Sequence, residues 1–216
     1  MVGCYSAPMI ALLALLACQK DLPPDPVIPP PDLHPVQPTP RFDTLIVPGE
    51  RVGPVDNKVD RDKLVELFGA SAVSEIQVDV GEGTFVPGLQ VAADDRSLSI
   101  VFEETSTGRE VVVRNLGTAW RTADGVGLGS TLSEVEAAIG GFALAGMEWD
   151  YAGTVDLTGT KLESAKGKLF LRLHYAGTEP DPAALGAVMG DRYFPSSDPN
   201  MQKLGLTVYD VVVRLP

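Results

Sequence analysis

Catalytic and metal sites are mostly built from histidine, cysteine and clustered carboxylates. The histidines here are His34 and His174, and the cysteines Cys4 and Cys18. Base catalysis needs a nucleophile and an orienting group beside the base. His34 sits in a proline tract and His174 ends an alternating apolar run, so a structural role is expected for both. The sequence has no HExxH, GxSxG or GxxxxGK and no paired-histidine spacing. The run Gly81-Glu82-Gly83-Thr84-Phe85-Val86-Pro87-Gly88 reads as a loop, and its two glycines resemble a phosphate cradle, but no Lys follows and no helical pattern begins. Asp56, Asp60 and Asp62 lack calcium-loop spacing, and Asp60 stands where a helix cap belongs. Asp191 and Asp198 suit a cation or, more simply, turns. Carboxylates able to cleave a glycoside are present in number, but spacing alone brings no two of them to a sugar. No catalytic residue, metal or cofactor is therefore assigned.

Binding chemistry has better candidates in Trp120, Trp149, Tyr151 and Tyr193, joined by Asp191 and Arg192 in the same long loop as Tyr193. Aromatics with a polar handle suit interfaces and shallow ligand sites. Filling the core is the competing role. Alternation places Trp149 and Tyr151 on one strand face, and Trp120 beside a hinge at residues 120–136.

Several elements must position these residues. Phe42, Leu45 and Val47 begin a strand that Pro48-Gly49 turns. Asp60 caps a helix whose apolar face is Leu64, Leu67 and Phe68 and which Gly69 ends. Period-two runs mark strands at Ile76-Val78-Val80, Leu98-Ile100-Phe102 and Val111-Val113. The plan then repeats. Val126-Gly127-Leu128-Gly129 echoes Val52-Gly53-Pro54, and Thr131 with Glu134 forms a capping box. Leu132, Val135 and Ile139 face inward, and Gly140-Gly141 stops the helix. Strands follow at Met147-Trp149-Tyr151, Leu169-Leu171-Leu173 and Val208 to Val213. Val111-Val112-Val113-Arg114 and Val211-Val212-Val213-Arg214 end the two halves.

The expected fold is α+β, with two similar helix-plus-antiparallel-sheet units in tandem at about residues 41–118 and 119–216. They form one domain if the sheets join. The halves differ in one long loop, residues 175–203. There Asp181 and Pro182 begin a short helix, and Gly190-Asp191-Arg192-Tyr193 follows it. A loop of this length in a compact domain is usually functional.

Ahead of this body, residues 9–17 are all apolar and run into Leu15-Leu16-Ala17-Cys18. That is too short to cross a bilayer and reads as a secretory leader, although no Lys or Arg precedes it. Half of the 18 prolines then fall in residues 19–40. Proline fixes φ and removes amide donors, so this stretch should be an extended spacer of roughly 3 Å per residue.

The order Leu-Leu-Ala-Cys resembles the lipobox of bacterial lipoproteins. By that resemblance residues 1–17 are a signal peptide, Cys18 carries the lipid, residues 18–40 tether the body to a membrane, and residues 41–216 are globular. Gln19, where an inner-membrane retention signal would place aspartate, points to the outer membrane. The Trp120-Arg121-Thr122 to Gly125-Val126-Gly127-Leu128-Gly129-Ser130-Thr131-Leu132 stretch resembles uncharacterised bacterial secreted and lipid-anchored proteins. So do Trp149-Asp150-Tyr151-Ala152-Gly153 and the Gly190-Asp191-Arg192…Ser196-Ser197-Asp198-Pro199 loop. The helix starts also resemble small two-layer lipoproteins of outer-membrane assembly, and the duplicated plan resembles beta-lactamase-inhibitor-like domains.

A net charge of -12 argues against nucleic acid as a partner, because phosphate repels such a surface. With both cysteines at or before the lipobox, the body has no disulfide, no cysteine zinc site and no thiol nucleophile. The expected function is a non-catalytic binding or interaction module of the cell envelope with an envelope-protein partner. A hydrolase of an envelope polymer and a small-ligand carrier are the alternatives.

Overall fold

The computed structural model describes residues 42–106, 108–177 and 179–216. The expected leader, Cys18 and the tether lie outside the described residues.

Strand β1 (Leu45–Val47) turns at Pro48-Gly49 into β2 (Arg51–Val52), which Gly53-Pro54 turns into β3 (Val55–Asp56). Helix α1 (Arg61–Phe68) starts where the Asp60 carboxylate accepts the Lys63 amide at 2.8 Å, and Gly69 ends it at φ 89°. Four strands follow: β4 (Val73–Gly81), β5 (Thr84–Val91), β6 (Leu98–Thr105) and β7 (Gly108–Arg114). After β8 (Arg121–Thr122) comes α2 (Leu132–Ile139), opened by the Thr131–Glu134 capping box and closed by Gly140. The chain continues through β9 (Ala143–Ala145), β10 (Val155–Asp156) and β11 (Leu169–Tyr175) to α3 (Pro182–Ala187). It ends with β12 (Tyr193–Pro195), α4 (Pro199–Lys203) and β13 (Leu206–Leu215).

The fold is α+β and mostly strand. A six-stranded antiparallel sheet in the order β11-β13-β7-β6-β5-β4 forms its frame. Two small sheets, β3-β2-β1-β8 and β10-β9-β12, accompany it. Alternation directs Leu169, Leu171, Leu173, Val113, Ile100 and Val91 into one apolar cluster with Leu64 of α1 and Val135 and Ile139 of α2. Each such side chain stabilises the fold by about 1.5–3 kcal/mol when fully buried. The opposite face carries a smaller cluster of Val78, Val101 and Val112. A bulge in the β11–β13 register, where Arg172 faces Asp210 but Leu173 faces Val208, lets Val208 and Val211 both point inward and turns Tyr209 out.

Several expectations change. Residues 81–88 are not a loop. Glu82 and Gly83, both at positive φ, make a tight turn between β4 and β5, and Thr84 onward is strand. Pro87 is tolerated because β5 pairs with β6 only from Gly88 onward. A Cβ at Gly88 would lie 2.6 Å from the Ile100 carbonyl oxygen, so that position needs glycine. Met147, Trp149 and Tyr151 do not form a strand; the strand there is β9, and residues 148–153 turn. Glu148 at φ 64° and Gly153 at φ 67° both leave the extended region, which breaks the alternation. Residues 175–203 hold the expected helix α3, with Asp181 accepting the Ala183 and Ala184 amides, and in addition β12 and α4. Asp198 caps α4 through the Asn200 and Met201 amides rather than serving a cation site.

Candidate functional site

The candidate aromatics separate by burial. Trp120 is 0% exposed. Its indole donates to the Ser97 carbonyl at 3.0 Å and stacks on Phe42 at 6.3 Å between centroids. A Cβ on Gly53 would press into that ring at 2.6 Å. Trp120 is thus core and has no surface to offer a ligand. Trp149, Tyr151 and Tyr193 are 58%, 63% and 62% exposed.

Strand β9 brings these three residues to one end of its small sheet. The chain leaves β9 at Ala145 into the Trp149–Tyr151 turn, and β12 enters opposite it with Tyr193 paired to Ala145. The backbone beneath is strapped on three sides. Gly146 N–H donates to the Arg192 carbonyl at 2.8 Å, Met147 N–H to Val188 at 2.9 Å, and Leu173 N–H to Gly153 at 2.9 Å. Inside the turn, Ala152 N–H returns to the Trp149 carbonyl at 2.8 Å and Thr154 N–H to Tyr151 at 3.0 Å. Gly146 and Gly153 allow this because a Cβ would collide with the Gly190 carbonyl oxygen and the Leu173 carbonyl oxygen respectively. Met147 and Val188, both fully buried, and nearly buried Phe194 anchor the loops from below. The aromatics therefore stand out from a fixed scaffold.

A hollow of about 170 Å³ opens here, lined by Trp149, Asp150, Tyr151, Asp191 and the backbones of Gly146 and Gly190. Three of the expected site residues, Trp149, Tyr151 and Asp191, thus meet in one place. Tyr193 borders a neighbouring shallow hollow with Pro195, Ser197 and Glu136. Arg192 acts as a staple: Nη2 donates to the Ala187 carbonyl at 3.1 Å, and the guanidinium lies 4.5 Å from the Phe194 ring centroid.

Asp150, Glu148 and Tyr175 join the site although they are not among the candidates that residue type alone marks. The Tyr175 hydroxyl donates to Glu148 Oε1 at 3.1 Å, and His174 Nε2 lies 4.0 Å from the same oxygen. The His174 ring is 3.9 Å from Tyr175 and edge-on to Tyr209 at 5.6 Å. His174 is accordingly part of an aromatic support, and among the described residues no nucleophile is bonded to it. Burial, and then the Glu148 hydrogen bond and charge, hold the Tyr175 phenol above the ordinary tyrosine range. The signal available beforehand was the alternation Glu148-Trp149-Asp150-Tyr151 enclosed by Gly146 and Gly153.

A larger groove, about 500 Å³, lies elsewhere among Arg61, Glu75, Pro87, Leu89, Phe102 and Arg109. Its charges answer one another. Arg61 faces Glu75 at 3.8 Å, while Arg109 lies 4.0 Å from the Phe102 ring centroid and donates to the Val59 carbonyl at 2.8 Å. Among the described residues no group of three or more His, Cys, Asp or Glu could hold a metal ion, and no helix is long and apolar enough to cross a membrane. Compared with known proteins, the chain matches no family model, no curated protein and no solved structure.

Proposed function

We propose that this chain is a lipid-anchored, non-catalytic binding module of the bacterial cell envelope that engages an envelope protein through Trp149, Tyr151 and Tyr193. One observation carries the reading: three large aromatics, each about three-fifths exposed, stand on strapped backbone at one end of the fold. Large exposed aromatics on a rigid frame are the residues from which interface hot spots are made, and burying them in a partner is where their area contributes. The Leu15-to-Cys18 lipobox resemblance and the proline-rich residues 19–40 supply the anchor and spacer of this reading, with the outer membrane as the destination.

The tandem-unit reading belongs to the same proposal. Helices α1 and α2 are each eight residues long, side-chain capped and glycine-ended. Strands β7 and β13 pair antiparallel with Val113 opposite Val213 and Val112 opposite Arg214, the register expected of a local two-fold through Val113 and Val213. On this reading the second unit differs by the insertion that carries α3, β12 and α4. That insertion contributes Asp191, Arg192 and Tyr193, so the divergence between the halves coincides with the site.

The test is fractionation and capture from cross-linked native membranes with the wild-type chain and Cys18→Ala. The wild type should sediment with membranes and bring down one envelope protein, while Cys18→Ala should move to the soluble fraction. If both forms fractionate alike, the anchor is not at Cys18.

A further inference from the structure

We propose that the hollow between Trp149 and Tyr151 binds the head of an organic cation, an alkylated ammonium group. This rests on the binding reading above and gives its site a ligand chemistry.

The lining residues include two aromatics, Trp149 and Tyr151, and two acidic residues, Asp150 and Asp191. An aromatic face attracts a cation through its quadrupole, and the attraction grows as the cation loses water. Among the described residues Asp150 and Asp191 form neither an ion pair nor a side-chain hydrogen bond. Arg192, adjacent to Asp191, forms no ion pair with it among the described residues; its guanidinium is turned to the Ala187 carbonyl and the Phe194 ring. The large groove differs here, since its arginines already have partners. With a chain charge of -12, the local and overall fields both favour a positive ligand.

Size and hydration narrow the class. Space exists because Gly146 and Gly190 line the hollow without side chains, and a Cβ on Gly190 would lie 3.8 Å from the Trp149 indole nitrogen. Among the described residues no group of three or more His, Cys, Asp or Glu gathers to hold a metal ion, and a divalent ion that keeps its water gains little from two rings. A bare ammonium is compact and strongly hydrated. An alkylated ammonium combines weak hydration with an apolar surface that can lie against two rings, and about 170 Å³ suits such a head group.

Trp149 provides the readout. The chain has two tryptophans, and Trp120 is fully buried, so a surface ligand acts on the emission of Trp149. The full chain is titrated with tetramethylammonium chloride at constant ionic strength, using sodium chloride and the neutral isostere 3,3-dimethyl-1-butanol as controls. A parallel titration with phosphatidylcholine vesicles, against phosphatidylglycerol vesicles, separates a lipid head group from a free cation. A saturable change with tetramethylammonium and with neither control is expected, weakened roughly tenfold in Asp150→Asn/Asp191→Asn. Circular dichroism of that exposed double variant should match the wild type. Equal affinity in the double variant, or an equal response to the neutral isostere, overturns the cation site. If tetramethylammonium gives no saturable change while the three aromatics still govern partner capture, the cation site fails and the docking reading stands. Saturable binding with capture indifferent to the aromatics supports the cation site, and the docking reading then fails.

Discussion

Trp120 and Trp149 are the same residue type in opposite circumstances, and their substitution should separate stability from binding. Trp120→Ala removes a fully buried ring with its Ser97 hydrogen bond and should cost about 3–5 kcal/mol in urea unfolding. Trp149→Ala should stay within about 0.5 kcal/mol of wild type, because its ring stands mostly in solvent. A comparable loss from Trp149→Ala would make that ring structural. The titrating groups give two further expectations. Glu134 and Asp181 are held below the usual carboxylate range chiefly by the backbone amides they accept from. A depressed pKa means that the folded state prefers the carboxylate. Their contribution is therefore present above the ordinary carboxylate range and lost as pH falls through the lowered values. At neutral pH, Thr131→Ala should cost about 1 kcal/mol by opening the α2 capping box. Tyr175 has the opposite sign. Its raised pKa favours the protonated phenol in the fold, so its contribution is full below the ordinary tyrosine range and lost as pH rises through the raised value. In ultraviolet phenolate titration Glu148→Gln should bring this tyrosine part of the way back, since burial is the larger cause. No movement would detach Glu148 from the support of the loop.

At the scale of elements, what could be read from sequence was what local chemistry decides. Asp60, Thr131 with Glu134, and Asp181 announce helix starts because the capping oxygen and the amide it satisfies lie two or three residues apart. Strands β6, β7 and β11 show in plain alternation because one face of the large sheet meets the main cluster, and β4 because Ile76, Val78 and Val80 pack with the smaller cluster on the other face. Strand β5 was hidden by Pro87 and Gly88, whose fitness depends on where β6 begins to pair and on the Ile100 carbonyl, both remote in sequence. Residues 147–151 misled in the other direction: they alternate like a strand, but their backbone is set by contacts with residues 173 and 188–192. The site was therefore half legible. Trp149, Tyr151, Asp191 and Tyr193 could be picked by type, whereas their meeting depends on the β9–β12 pairing. Gly153→Ala tests that dependence. The new methyl would run into the Leu173 carbonyl at a positive φ, which should cost more than about 1 kcal/mol and speed amide exchange across residues 146–154. Unchanged exchange there would mean that the loop is not held by this contact.

On the scale of the whole molecule, an acidic body with a disulfide-free core presents one aromatic end on a rigid frame. In the proposed setting, residues 19–40 serve as the spacer between that body and its membrane anchor. In that proposal the anchor delivers the module and the aromatic loops choose the partner. The most direct test is capture from cross-linked native membranes by the wild type and by Trp149→Ala/Tyr151→Ala/Tyr193→Ala, matched in membrane level and unfolding midpoint. The account predicts that the partner recovered with the wild type is lost from the triple variant while membrane attachment is unchanged. Equal recovery of the partner by both chains would contradict it and move the binding surface to another face of the fold.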